Sequence, residues 1–123
     1  MPKTTVVFFK DDDGDVPLLQ WLAELRPKEA VAKRLALIET LRERGHDLRR
    51  PQAAPLRDGI YELRARLNKV RLRMLYFFHK KAAVLTHGFG KKSDETPPVE
   101  IDRAVNYRTR FLADPKKHFH SED

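Results

Sequence analysis

Four arginines recur at two-residue intervals on either side of a short polar break: Arg64 and Arg66 before it, Arg71 and Arg73 after it. Guanidinium is a planar, permanently charged fork that binds phosphate through paired N–H bonds. A group of them can stabilise the charge that develops on a phosphodiester when a ribose 2′-oxygen attacks it. That reaction needs no metal. The 2′-hydroxyl loses its proton, its oxygen bonds to phosphorus, and the 5′-oxygen leaves with a proton. Lysines among other cations can add charge or, with a lowered pKa, act as the base. Lys91 and Lys92 are candidates for that part, and Lys69 lies in the break itself.

Strand alternation positions these groups. Tyr61, Leu63, Ala65 and Leu67 alternate with Glu62, Arg64 and Arg66. Val70, Leu72, Met74, Tyr76 and Phe78 then alternate with Arg71, Arg73, Leu75 and Phe77. Period two means two strands, each with one apolar face. With Asn68-Lys69 as a two-residue turn, Arg66 faces Arg71 and Arg64 faces Arg73. Ala65 then meets Leu72, Leu63 meets Met74, and Tyr61 meets Tyr76. Like charges directly opposed across strands are destabilising, so the arginine face is expected to hold an anion. The ordinary alternative is a solvated face, or pairing with a carboxylate such as Glu62 or Glu100. A third strand over Ala82–Phe89 ends just before Lys91-Lys92, and can bring them to the same face. His87 on that strand is a further candidate, with a structural role as its alternative. Tyr76 belongs to the apolar face and reads as core, and Tyr107 reads as packing.

The rest of the chain supplies supports. Lys3–Lys10 reads as a strand, and Asp11–Asp15 as a polar turn. A calcium loop fails there, because no carboxylate sits at its closing position. Val16–Arg26 and Lys28–Arg44 read as helices separated at Pro27. The second has an apolar stripe of Val31, Leu35, Ile38 and Leu41, with Lys33, Arg34, Glu39, Arg42 and Glu43 largely off it. Gly45 is a candidate helix stop, His46–Pro55 a loop, and Gly90–Pro98 another. Pro98 opens a last helix to about Leu112, with Ile101, Ala104, Val105 and Phe111 inward, and 114–123 reads as a flexible tail. The expected fold is a single α+β domain over 1–123, β-α-α-β-β-β-α. Two helices pack on an antiparallel sheet of three to four strands, and a C-terminal helix follows.

Composition sets the class. The 123 residues carry 25 Lys+Arg against 18 Asp+Glu, a formal net charge of +7, which favours anionic partners. There are no cysteines, hence no disulfide framework or cysteine-ligated metal. The histidines lack ligand spacing, so no metal and no cofactor are expected. No apolar run reaches the roughly 20 residues of a membrane span, and no secretory signal opens the chain. A cytoplasmic protein without membrane contact is expected.

Several of these segments together resemble the HigB-like, phage-derived branch of the RelE/ParE toxin superfamily. The pieces are Leu56-Arg57-Asp58-Gly59-Ile60-Tyr61-Glu62-Leu63-Arg64 and Arg73-Met74-Leu75-Tyr76-Phe77-Phe78. They continue with Leu85-Thr86-His87-Gly88-Phe89-Gly90-Lys91-Lys92 and Thr96-Pro97-Pro98-Val99-Glu100-Ile101, with Ala104 in the helix that follows. The resemblance implies a RelE-like fold and a ribosome-dependent mRNA endonuclease, the toxin of a type II toxin–antitoxin pair. It implies three partners: mRNA, the ribosome and a helix-turn-helix antitoxin. Carried over by motif, Arg64, Arg73 and Lys91 or Lys92 are the implied catalytic residues. Arg66, Arg71, Lys69 and His87 are then expected to bind RNA. The competing activity within the same fold is that of a ParE-like toxin, which inhibits DNA gyrase without cutting RNA.

Overall fold

The computed structural model describes residues 4–26, 28–67, 70–91 and 95–121. In chain order the elements are β1 (Thr5–Phe9), α1 (Pro17–Glu24), α2 (Lys28–Arg44), β2 (Ala53–Pro55), β3 (Tyr61–Leu67), β4 (Val70–His79), β5 (Ala82–Lys91), α3 (Pro98–Ala113) and β6 (Phe119–Ser121). A single 3₁₀ turn, Gly45–Asp47, ends α2. Among the described residues six strands form one mixed sheet, in the order β2-β3-β4-β5-β1-β6.

The α+β class holds, but the sheet is larger than the alternation suggests, and it is mixed. β1 runs parallel to β5, with Val7 opposite Val84. Parallel neighbours need a long crossover, and here the chain from α1 to β4 supplies it. The presumed loop 46–55 contains β2, which pairs with β3 through Ala54 opposite Glu62. Asp58 and Gly59 both have positive φ, and Ile60 N–H donates to Arg57 O at 3.0 Å. Two successive positive φ values make a hairpin turn matched to strand twist, and Asp-Gly favours it. The tail is also structured: β6 pairs antiparallel with β1, and His118 is buried.

The β3–β4 register is the expected one, with Arg64 opposite Arg73 and Arg66 opposite Arg71. The Asn68-Lys69 turn lies outside the described residues, as does the Pro27 break.

Each face of the sheet carries its own core. α1 and α2 cover Val6, Phe8, Leu63, Met74, Tyr76 and Leu85. α3 covers Val7, Phe9, Leu75, Phe77 and Val84 through Ile101, Ala104 and Phe111. This explains Leu75 and Phe77 on what alternation makes the polar face. α3 makes that face dry over part of its length, and the arginines occupy the remainder.

The inward stripe of α2 is rotated from the expected one. Ala30, Arg34, Leu37, Ile38 and Leu41 are buried, while Leu35 is half exposed. Arg34, expected in solvent, has no exposed surface at all.

Candidate functional site

The α3-side face of the central strands is built in rows. Backbone pairing sets Glu62, Leu75 and His87 in one row, Arg64, Arg73 and Phe89 in the next, and Arg66, Arg71 and Lys91 in the last. The last two rows are the arginine cluster. Lys91 thus reaches the cluster at the level of its backbone, opposite Arg71. Lys69 and Lys92 lie outside the described residues.

A cavity of about 460 Å³ opens at this end of the sheet, lined by Arg50, Arg64, Arg66, Arg71 and Arg73 with Pro51, Gln52 and Ala65. Arg50 comes from the turn before β2, whose Gln52 carbonyl accepts from Arg64 N–H at 2.7 Å. Five arginines lining one opening favour an anion with several oxygens.

Beneath the opposed arginines lies a carboxylate. Glu62 is buried, and its Oε1 accepts from Arg64 Nε at 3.0 Å. Its Oε2 lies 3.6 Å from Arg73 Nε and accepts from the Thr96 hydroxyl at 2.6 Å. Arg73 Nη1 in turn reaches Thr96 Oγ1 at 3.5 Å. Arg73 is almost wholly buried yet lines the cavity. With both oxygens engaged, Glu62 orients the two arginines; a base would need an open oxygen. The carboxylate that balances the like-charge pair is therefore Glu62, and Glu100 serves elsewhere. Charge and periodicity do not single out Thr96; its signal in the sequence is its place in the Thr96–Ile101 segment of the family resemblance, just before the helix-opening prolines.

His87 does not line the arginine cavity, so it stands apart from the residues expected to bind RNA with it. It is buried, with Nε2 3.1 Å from Glu100 Oε1 and Nδ1 3.0 Å from the Thr86 hydroxyl. Burial pushes its pKa down to about 3, helped by the charge of Arg103. A neutral ring packed between β5 and α3 is structural. Tyr76 is likewise core, its phenol raised by burial. Tyr107 stacks on Phe9 with ring centres 4.5 Å apart.

These placements explain why the quoted segments are spaced as they are. Asp58-Gly59 makes the turn that leads into β3, and Arg57 ties it to α3 through Asp102 at 2.6 Å. Gly88 lies against Trp21 so closely that an added Cβ would fall 2.2 Å from Cε3 of the indole. Thr96 and Glu100 each hold a group of the central strands.

Residues 20–110 match the model of the phage-derived Gp49-like proteins (DUF891). The chain belongs to the Gp49-like family. That family is of the RelE toxin-like kind. The match begins within α1 and ends within α3, so it spans every element of the arginine site in this Gp49-like chain. A search of curated proteins finds no match.

Outside this site, Asp11, Asp13 and Asp15 bring carboxylate oxygens within 4.8 Å of one another. Asp11 Oδ1 accepts from the amides of Asp13 and Asp15, both at 3.0 Å, which is the bonding of a turn. Among the described residues no helix is long and apolar enough to cross a membrane.

Proposed function

We propose that this chain is a HigB-like toxin of a type II toxin–antitoxin pair, cutting mRNA on the ribosome without a metal. The observation that carries this reading is the cavity edged by Arg50, Arg64, Arg66, Arg71 and Arg73, together with the Gp49-like family. Arg73 takes the scissile phosphate, and Arg64 lies beside it. Both are held by Glu62 before substrate arrives, so little reorganisation is needed as charge builds on phosphorus. Arg66 and Arg71, with Lys69, position the RNA backbone. Lys91 or Lys92 supplies charge or accepts the 2′-hydroxyl proton. A helix-turn-helix antitoxin neutralises the toxin in the cytoplasm.

The test is expression in cells with primer extension on cellular mRNA. Cuts that follow the reading frame are expected, and Arg64→Ala and Arg73→Lys should lose cleavage and growth arrest together. Growth arrest that persists in these variants, with DNA-damage signalling, would replace this reading by gyrase inhibition.

A further inference from the structure

We propose that a second cavity, on the other side of the 49–53 turn, is a nucleobase subsite. It takes the base of a nucleotide adjoining the phosphate held by the arginine cavity. The proposal rests on the RNA-phosphate reading of that first cavity.

The second cavity holds about 480 Å³ and is lined by Leu48, Ala53, Pro55 and Tyr61, with Arg49 and Arg50. Arg50 lines both cavities. Ala53 N–H donates to Arg49 O at 3.1 Å, so the segment closes one tight turn. The Gln52 carbonyl anchors that turn to β3 through Arg64 N–H. Only a single turn of chain therefore separates the two openings.

Its walls suit a flat, partly polar ring. Leu48, Ala53 and Pro55 are apolar, and Tyr61 adds an aromatic side chain. Tyr61 is braced by Tyr76 at 5.5 Å, stacked, and by Phe78 at 5.4 Å, edge-on. A braced ring is a fixed platform, and bases of single-stranded RNA bind by stacking on such platforms beside basic groups. Arg49 is steadied by a 2.8 Å bond from Nη1 to His46 O. Arg49 and Arg50 supply donors for the acceptor edge of a base and charge for its phosphate.

The experiment uses fluorescence anisotropy on the full chain. Its probe is a labelled pentanucleotide with 2′-O-methyl riboses, which lack the attacking hydroxyl. A second set carries one abasic position at a time. In the wild-type protein one abasic position should weaken binding about tenfold. Pro55→Trp fills the cavity from an exposed edge residue. It should weaken the intact oligonucleotide similarly and abolish the abasic penalty. Tyr61→Leu keeps the wall apolar and should act in the same direction. Equal binding of intact and all abasic oligonucleotides would overturn the subsite while leaving the phosphate reading standing. So would an abasic penalty that survives both substitutions. No binding of any oligonucleotide at low salt would overturn the phosphate reading and the subsite with it.

Discussion

The carboxylate of Glu62 lies 3.6 Å from Nε of Arg73, and both side chains are almost wholly buried. Removing one member of a buried pair leaves the other charge uncompensated, at a cost of roughly 3–5 kcal/mol. Glu62→Ala is therefore expected to lower the urea midpoint strongly. Glu62→Gln keeps an acceptor and should cost less while still impairing cleavage. Midpoints unchanged in both variants would show that the pair does not support the fold.

Arg34 predicts the opposite sign. Its Nη1 donates to Leu72 O at 3.1 Å, while Nε and Nη2 lack hydrogen-bond partners among the described residues. Burial pushes its pKa down to about 10. A buried charge with so little compensation costs stability. Arg34→Met should stabilise the fold by about 1–3 kcal/mol, read as a higher urea midpoint. A lower midpoint would mean that the Leu72 bond outweighs the desolvation of the guanidinium.

These two residues mark where the sequence was legible. The β3–β4 register could be read because an alternating pattern and a two-residue turn leave one way to close the apolar face. Glu62 was visible as a candidate partner, but its depth depends on α3, which arrives 36 residues later in the chain. The rotation of α2 was hidden because a long arginine counts as polar by type, yet its stem can lie in a core. The Asp58-Gly59 turn was legible in principle; only the shortness of β2, three residues, concealed its hairpin. Nothing local signals that β1 joins β5 in parallel, since that pairing spans most of the chain.

Gly88 tests the packing of α1 on β5. A Cβ there meets the indole of Trp21 well inside contact distance. Gly88→Ala should destabilise by about 1–3 kcal/mol. Trp21→Leu in the same chain should recover part of that loss, measured as coupling in a double-mutant cycle. Additive losses would refute the contact.

His87 sets a pH dependence. Its pKa lies near 6.5 in the unfolded chain and about 3 in the fold. The unfolded state therefore binds the proton more readily between these values. The stability due to a neutral His87 is complete above pH 6.5 and is lost as pH falls toward 3. His87→Gln should flatten the melting temperature against pH across this window. An imidazole that titrates near 6.5 by NMR in the folded protein would contradict it.

Arg66 is exposed at the cavity rim. If it meets a phosphate, Arg66→Ala should weaken RNA binding for all sequences alike. The slope of log affinity against log salt should fall by about 1. A changed base preference with an unchanged slope would assign it to a base instead.

The short pairing of β6 with β1 has one more consequence. β1 is Thr-Val-Val-Phe-Phe, and among the described residues the three of β6 cover its outer edge. Bare, that edge would be a flat apolar template for another copy of itself. Cutting the chain at Asp114 should therefore convert a well-behaved solution into one that self-associates, at a rate rising with concentration. The last strand would then act as a guard on solubility, separate from anything done at the arginines.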